Sequence, residues 1–369
     1  MAPRTPPETP SANLLVKAAS LSFDGLKRAF EEPVITGGLL YLLTRGPQHI
    51  RERMLQPLQS HLLLSRLPSF ITFLKLLTAV GVARRVSQSL NRLAWNNWSF
   101  GRPGAPFKFG PGKKELVVIT GGSSGFGYEM VKLFNEHARV VVLDVSPFPD
   151  ELAQLSDVFY YTCDVTDTNA VVELCEEIRT THGDPSVLIN NAGIATGKTV
   201  LETSNEQCER LFKVNLTSHF VLIREFLPGM LRMKKGHIVE MASMASFIAA
   251  PGLLDYCCSK VGAMFVAEGI RAECFRYPGG EGICTTSVHP SWHDTGIIKV
   301  VEGTLRKHGI RADPAINVAR IVVDQVLMAK SGRIFAPKGE EAKVGLRNWP
   351  VWMQDLLIGN VFKEQRFDF

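Results

Sequence analysis

Ser243, Tyr256 and Lys260 have the residue types and spacing of a proton-transfer site. Tyr256 and Lys260 are four residues apart, so on a helix their side chains share one face. A phenol with a pKa near 10 must lose about three units to work near neutral pH, which needs roughly 4 kcal/mol. A lysine ammonium beside the phenol supplies help of that order. Because Ser243 lies thirteen residues before Tyr256, where an apolar run ends, the three residues predict acid–base chemistry at Tyr256.

A glycine-rich turn precedes these residues and predicts a dinucleotide site. The β-branched run Val117–Ile119 leads into Thr-Gly-x-x-x-Gly-x-Gly, and a helical pattern follows from Tyr128 to Ala138. Glycines let backbone N–H groups approach a pyrophosphate, and a helix N-terminus adds a partial positive charge. The residues predicted to hold the phosphates are Gly121, Ser123, Ser124, Gly125, Phe126 and Gly127.

Asp144 is expected to select the nucleotide. It ends the predicted second strand, about 20 residues after the glycine turn, where a carboxylate can accept hydrogen bonds from the adenosine ribose. It would also repel a 2′-phosphate, and no Lys or Arg lies in Val145–Pro147 or in the glycine turn. The sequence therefore favours NAD over NADP. The alternative is that Asp144 only caps a turn.

Further polar residues follow the predicted strands. Asp164 and Val165 come after the third strand, where they can meet the adenine, whereas Asp167 is expected to cap the next helix. Asn191, Ala192 and Gly193 follow the fourth strand. Asparagine amides can brace neighbouring strand ends there, and the small residues let a flat cofactor approach. Asn215, in the middle of a long helical stretch, could also be an ordinary packing residue.

With these motifs in order and spacing, residues 113–337 resemble the short-chain dehydrogenase/reductase family. The resemblance implies an α/β, doubly wound (Rossmann) sheet of seven parallel strands with a nicotinamide dinucleotide across the strand ends. It also implies roles: Tyr256 is the general acid/base and Ser243 holds the substrate oxygen. Lys260 lowers the pKa of the tyrosine and binds the nicotinamide ribose, and Asn215 helps to hold a water. Thr295 is placed to contact the cofactor phosphates, although Ser291 replaces the glycine that usually follows the proline there.

Composition excludes several other classes of protein. The 369 residues carry a formal net charge of +5, too weak to indicate a nucleic-acid partner. Seven cysteines, none in a Cys-x-x-Cys pair, indicate reduced thiols and predict neither a disulfide framework nor a metal site. His289 and His293 are left out of the mechanism, because lone loop histidines are mostly structural or solvated.

The first 112 residues differ from the remainder of the chain. Leu14–Phe30 could form an amphipathic helix, and Pro33–Thr44 and Leu67–Val82 are apolar but shorter than the ~20 residues that span a membrane. Nine Lys or Arg and one acid lie between Arg45 and Arg102, a composition that favours a membrane interface. The alternative is that these helices pack on the main domain or on a partner subunit. Gly101–Gly112, with four glycines and three prolines, is predicted to be the linker.

The predicted domains are therefore a helical extension (1–112), a Rossmann domain (113–338) and an amphipathic tail (339–369). The segment Trp292–Ile310 carries apolar residues consistent with a lipophilic substrate, or with simple packing of a lid helix. The basic, hydrophobic N-terminal extension and the amphipathic tail make the chain similar to the membrane- and lipid-droplet-associated branch that includes retinol and 17β-hydroxysteroid dehydrogenases. The expected activity is NAD-linked interconversion of a lipophilic alcohol and its carbonyl, at a membrane facing the cytosol (endoplasmic reticulum or lipid droplet), or in the cytoplasm if the extension packs on the domain. A homodimer, a carbonyl reductase of a tailoring pathway and a catalytically silent dinucleotide-binding scaffold remain open alternatives.

Overall fold

The chain divides into two compact units at Ala94, in a computed structural model that describes residues 32–56, 66–101, 103–300 and 311–362. In the first unit the described residues form helices α1 (Pro33–Thr44), α2 (Gln48–Leu55) and α3 (Leu67–Trp95), the last of which ends one residue into the second unit. The predicted helix at Leu14–Phe30 lies outside the described residues.

Helix α3 corrects the expectation that the apolar stretch is too short to span a membrane. The helix contains Leu67–Val82 but continues to Trp95, giving 29 residues. It is the one helix of the described ranges that is long and apolar enough to cross a bilayer, judged by length and composition alone. Only 11% of its apolar window is buried in the protein, and Phe70, Phe73 and Leu76 are exposed. The apolar pattern ends at Val82 and two arginines follow, yet arginine is a good helix former and the helix continues.

The predicted linker packs as part of the second unit. The Ala105 N–H donates to the Lys234 carbonyl (2.8 Å), and the Asn97 side-chain amide donates to the Glu281 carbonyl (3.1 Å). The Phe107 and Phe109 rings stack with their centres 5.2 Å apart and pack on a core cluster. Partly buried aromatic side chains and a backbone hydrogen bond thus hold a segment whose glycines and prolines indicated an open connection.

The second unit is built on one seven-stranded parallel sheet in the order β3-β2-β1-β4-β5-β6-β7, which confirms the predicted fold class. The strands are β1 (Leu116–Thr120), β2 (Arg139–Asp144), β3 (Val158–Thr162), β4 (Val187–Asn190), β5 (Gly236–Met241), β6 (Ile283–Pro290) and β7 (Gly332–Ala336). The helices are α4 (Gly125–Phe134), α5 (Asp150–Ala153), α6 (Thr168–His182), α7 (Asn205–Phe212), α8 (Ser218–Arg232), α9 (Leu254–Cys274), α10 (Ala315–Leu327), α11 (Glu341–Val344) and α12 (Val351–Phe362).

Burial on both faces explains why the central strands are continuous apolar runs. Every residue of β1 is buried, as expected for a parallel strand covered by helices on each side. Val118 and Val141 point into a cluster with residues of α6 and α8, whereas Val117 and Val140 point into a cluster with residues of α4 and α10. The alternation of side chains along each strand therefore feeds two separate cores.

The strand order reverses between β1 and β4, and this is where such sheets bind ligands, outside the carboxyl ends of the strands. One further feature serves that edge: α7 and α8 are joined without a break by a π-helical turn, Lys213–Thr217. In the tail, helix α12 begins with Val351 and Trp352 exposed, and residues 363–369 lie outside the described part of the chain.

Candidate active site

The glycine turn folds back on itself as the sequence predicts. Gly121 has a φ of +66°, and a Cβ placed there would lie 2.9 Å from the Cα of Ala192. A Cβ on Gly127 would overlap the Gly121 carbonyl oxygen. Neither position accepts a larger residue without moving backbone, because each is in direct contact with main-chain atoms. Helix α4 begins directly after Ser124, so its free N–H groups open onto this turn.

Asn191 braces the turn against the neighbouring strand. Its side-chain amide donates to the carbonyl oxygens of Thr120 and Gly121, both at 2.9 Å. In return, the Thr120 hydroxyl oxygen accepts from the backbone N–H groups of Asn191 and Ala192, each at 3.0 Å. The ends of β1 and β4 are thereby locked together at the reversal of the sheet. The bracing role expected for an asparagine here is what the contacts show.

Asp144 is held by the backbone of two loops. Its carboxylate oxygens accept from the N–H groups of Ser123 and Ser146, both at 2.8 Å, and the side chain is buried. The turn-capping alternative therefore describes a real contact. Each carboxylate oxygen keeps a second lone pair, so the same side chain can still accept from a ligand hydroxyl. The carboxylate sits at the end of β2, beside the glycine turn.

The remaining nucleotide-site residues lie along the same sheet edge. Asp164 is exposed after β3, and its bond from the Thr166 N–H lowers the pKa of that carboxyl. Val165 is buried beside it, and Asp167 caps α6 by accepting from two backbone N–H groups, as predicted. The Thr295 side chain faces the start of α4, about 3.4 Å from where a Cβ on Gly125 would stand. All of these residues follow the carboxyl ends of strands. Thr295 reaches the glycine turn from the loop after β6.

The Ser243 hydroxyl is close enough to the Tyr256 phenol for a side-chain hydrogen bond that lowers the pKa of the phenol. Ser243 follows β5 and caps a short 3₁₀ turn by accepting from the Ala245 N–H at 3.1 Å. Tyr256 lies in the first turn of α9. Burial raises the pKa of Tyr256 to about 12, and the bond to Ser243 opposes that rise. The sequence predicts a lowered pKa for this phenol beside Lys260 and a bound dinucleotide, and that stays a prediction, because burial of the phenol is the largest cause acting here.

Lys260 lies one helical turn after Tyr256 and is almost fully buried. Its ammonium nitrogen donates to the Met241 carbonyl at 2.7 Å and lies 5.5 Å from the centre of the Tyr256 ring. Tyr256 and Lys260 therefore share a helix face, as their spacing predicts. Burial lowers the pKa of Lys260 to about 8, and the charge of Glu240 opposes this.

Asn215 lies in the π-helical turn and completes the group. Its side-chain amide donates to the Ile194 carbonyl (2.9 Å) and to the Ser259 hydroxyl (3.0 Å), and its carbonyl accepts from the Ile194 N–H (2.8 Å). A Cβ on Gly193 would lie 3.3 Å from the Lys260 ammonium and 3.6 Å from the Asn215 carbonyl oxygen. The small residue at Gly193 thus keeps Lys260 and Asn215 open to the same space.

Sequence reasoning missed two buried groups behind this site. Glu240, on β5, is fully buried and contacts Asn190 and His219, as described below. His289 places Nδ1 3.1 Å from the Ser243 carbonyl oxygen and Nε2 3.0 Å from the Ser287 hydroxyl. Burial lowers the pKa of His289 to about 4, so the ring is neutral and donates to that carbonyl. Glu240 was visible as an acid inside a mostly apolar strand, whereas His289, expected above to be a loop histidine, lies in β6.

Cysteines and other soft ligands form no metal centre in the described ranges. Within them, no three His, Cys, Asp or Glu side chains gather as a metal-binding group. All seven cysteines are free thiols. Burial raises the pKa of Cys163 to about 11 and that of Cys175 to about 12, which makes these thiols poor nucleophiles.

The residues present fit a dinucleotide. The turn between β1 and α4 has no room for side chains at Gly121 and Gly127, a helix N-terminus opens beside it, and a carboxylate stands at the next strand end. This is the arrangement that accepts a pyrophosphate and an adenosine ribose. The phenol, hydroxyl and ammonium of Tyr256, Ser243 and Lys260 lie at the other side of the sheet reversal, on β5 and α9.

Residues 115–304 match the family model described as short chain dehydrogenase. Dehydrogenase RED3 of Cochliobolus heterostrophus is 51% identical over 117 residues, covering 32% of this chain and 60% of that protein. Epidermal retinol dehydrogenase 2 of Homo sapiens is 36% identical over 193 residues, covering 50% of this chain and 62% of that protein. The chain thus spans about three fifths of the length of these curated relatives.

A solved structure shares the fold. It is described as 4-hydroxyisoleucine dehydrogenase complexed with NADH, and it superposes with a TM-score of 0.53 at 22% identity. The match covers 60% of this chain and 96% of that one. At this identity the likeness shows the fold alone.

Proposed function

This chain belongs to the short-chain dehydrogenase family, and we propose that it interconverts a lipophilic alcohol and its carbonyl with a nicotinamide dinucleotide. The observation that carries the proposal is the grouping of the Ser243 hydroxyl, the Tyr256 phenol and the Lys260 ammonium, with the ammonium 5.5 Å from the centre of the phenol ring. Two hydroxyl groups that meet at one point can hold one substrate oxygen and move one proton to or from it.

In the proposed mechanism Ser243 and Tyr256 bind the substrate oxygen. For reduction of a carbonyl, both hydroxyls donate to that oxygen and Tyr256 gives up its proton as the alcohol forms. For oxidation, the Tyr256 phenolate takes the proton from the alcohol. The nicotinamide dinucleotide, when bound, supplies or accepts the hydride. The positive charge of Lys260 stabilises the phenolate against the burial that otherwise raises the pKa of Tyr256.

Asn215 has a supporting part in this proposal. Its side-chain carbonyl accepts from the Ile194 N–H and its side-chain amide donates to the Ile194 carbonyl, so both backbone groups of Ile194 are held. The Ile194 peptide and the Lys260 ammonium flank Gly193, where a water can pass a proton towards solvent. The π-helical turn places the asparagine there because it widens the helix at Asn215.

A lipophilic substrate is proposed from apolar residues close in sequence to the site residues and from the relatives. Leu253 and Phe247 are buried near the start of α9, and Ile298 is buried in the segment after β6. Several relatives carry the name retinol dehydrogenase, as the human protein above does. A panel of retinoid, sterol and long-chain alcohols, with their carbonyls, followed at the nicotinamide absorbance, tests this. Turnover confined to short polar alcohols would exclude the lipophilic class.

The replacement Tyr256→Phe tests the chemistry itself. We expect turnover to fall by about 10²–10⁴ or more, because the proton donor is removed. NADH binding, followed by nucleotide fluorescence, should stay within a few-fold of the unchanged protein. Tyr277→Phe is the matched control, since Tyr277 is largely exposed on the chain segment after α9. Full turnover in Tyr256→Phe would remove this residue from the mechanism, and nucleotide binding without turnover of any compound by the unchanged protein would favour the silent scaffold.

We also propose NAD as the preferred nucleotide. The buried Asp144 carboxylate beside the glycine turn would repel a 2′-phosphate, while its remaining lone pairs can accept from ribose hydroxyls. Comparing kcat/KM with NAD and with NADP tests this. A clear preference for NADP would defeat the argument from Asp144.

Membrane association through the first unit is a further part of the proposal. It is supported by the length and exposure of α3, whose apolar window is 11% buried. Fractionation of the full chain and of a chain beginning at Trp95, where the second unit begins, tests it. We expect the full chain to require detergent and the shorter chain to be soluble. Equal solubility of both without detergent would make the first unit a packing extension.

A further inference from the structure

Glu240 is a fully buried acid in the middle of an apolar strand. It precedes Met241, the residue whose carbonyl accepts from the Lys260 ammonium. One carboxylate oxygen accepts from the side-chain amide of Asn190 on the neighbouring strand β4, at 2.6 Å. Removing a carboxylate from water costs several kcal/mol unless partners compensate, so its position needs an explanation beyond packing.

His219 is the second partner of this carboxylate. Its Nδ1 lies 2.5 Å from the other oxygen of Glu240, and the ring is buried in α8, four residues after Asn215. Among the described residues, its Nε2 is buried without a hydrogen-bond partner. A proton on that nitrogen would leave a charged donor unpaired, so the geometry favours a neutral ring with its proton on Nδ1, donating to the carboxylate. The pair then carries one net negative charge.

This charge acts on Lys260, whose ammonium donates to the carbonyl of Met241, the residue next to Glu240 in β5. Glu240 lies on the same face of β5 as Ile238, which is covered by the α8 side, and Lys260 enters this region from α9. Of the groups in the described ranges, Tyr256 on its own helix and Glu240 on β5 are the titratable side chains that act on Lys260. Asn215 and Gly193, from the π-helical turn and the loop after β4, are neutral.

We propose that Glu240 is a positioning residue: held by Asn190 and His219, it is the buried counter-ion that keeps Lys260 charged beside Tyr256. The inference rests on the proposed function, because it assigns the source of the charge that Tyr256 uses. Glu240 is not a catalytic residue: it is fully buried, and it affects Tyr256 through the charge of Lys260. Burial alone would discharge a lysine in this place, and the Glu240 carboxylate opposes that.

The test is a titration of Lys260 itself, which needs no turnover. The full chain is labelled with ε-¹³C lysine, and the Lys260 resonance is assigned by its absence from Lys260→Met. We expect a midpoint near 8 in the unchanged protein and a fall of about one pH unit or more in Glu240→Gln, the size of effect that a nearby charge produces. Glu240→Asp retains the charge and should keep the midpoint within about half a unit.

A matched control is Glu115→Gln. Glu115 is equally buried but pairs with Lys235 (2.9 Å) at the start of β1, so its replacement should leave the Lys260 midpoint unchanged. Should Glu240→Gln fail to fold, Glu240→Met combined with His219→Leu replaces the pair by apolar side chains of similar size, an exchange that proteins often tolerate. The same fall is expected there.

An unchanged Lys260 midpoint in either folded variant would overturn the inference. In the same proteins, the alkaline limb of the kcat/KM profile should move to lower pH with the midpoint. A shifted midpoint without turnover in the unchanged protein would retain the counter-ion and refute the proposed function. Turnover with an unchanged Lys260 midpoint would retain the proposed function and refute the counter-ion role of Glu240.

Discussion

Lys260→Met should make the protein more stable while removing its activity. The pKa of this lysine falls from 10.5 to about 8 on folding, because its ammonium is buried. Each unit corresponds to about 1.4 kcal/mol, so holding the charge below pH 8 costs about 3 kcal/mol. The variant avoids this cost but leaves the Met241 carbonyl without its donor, which offsets about 1 kcal/mol. The net expected gain near pH 7 is about 2 kcal/mol.

The lowered pKa of Lys260 also fixes the direction in which its contribution to stability changes with pH. Between pH 8 and 10.5 the folded protein binds fewer protons at Lys260 than the unfolded chain does, so this residue makes stability rise with pH. The burial cost should therefore shrink across this window and vanish above it, where the Met variant becomes about 1 kcal/mol less stable because the Met241 carbonyl still lacks its donor. Other buried groups, such as Tyr256 and Cys175, also titrate at high pH, but they are common to both proteins and cancel in the difference.

Urea unfolding of the nucleotide-free proteins, followed by tryptophan fluorescence at pH 7 and at pH 10, measures that difference. Lys235→Met is the contrasting control, because Lys235 neutralises the buried Glu115, and its loss should cost about 3 kcal/mol. The reasoning is refuted if Lys260→Met is less stable at pH 7, or if its difference from the unchanged protein is the same at both pH values.

Three further outcomes are expected. Gly127→Ala should abolish NADH binding measured by fluorescence, because its Cβ overlaps the Gly121 carbonyl, whereas Gly269→Ala, with open space around it in α9, should bind normally and gain up to about 1 kcal/mol in stability. His289→Phe should lower kcat with little change in NADH affinity, since it removes the donor to the Ser243 carbonyl. Because the pKa of His289 is about 4, the pH profile of kcat/KM for the unchanged protein should show no step from this histidine between pH 5 and 8. Asp144→Ser should raise kcat/KM for NADP relative to NAD, and a ratio that does not move would show that Asp144 only holds the turn through Ser123 and Ser146.

Local patterns were sufficient for most of the fold. The run Val117–Ile119 followed by glycines predicts a buried strand, a tight turn and a helix, and all three are present. The four-residue spacing of Tyr256 and Lys260 predicts a shared helix face, and their contact confirms it. These features depend on neighbours in sequence, which a pattern can report.

Energetic balances between distant residues were not predictable in the same way. The pKa of Tyr256 depends on how deeply the phenol is buried relative to how near the ammonium lies, and spacing along a helix contains only the second quantity. The reach of α3 beyond Val82 depends on helix propensity continuing after the apolar pattern has ended. The sequence shows Glu240 as an acid within a mostly apolar strand. It does not show the partners of this acid, because Asn190 and His219 come from other elements.

The π-helical turn at Lys213–Thr217 makes this stretch intolerant of changes in chain length. It accommodates a surplus residue between two regular helical segments, Asn205–Phe212 and Ser218–Arg232. Deleting one residue would let the spiral return to uniform pitch with both flanks nearly in their present phase, because a π-helical turn holds about one residue more than an α-helical turn. The side chains of the turn itself, Asn215 among them, would change direction relative to the sheet even though each remaining side chain kept its chemical type. Substitutions in this stretch should therefore be far less damaging than a single-codon deletion.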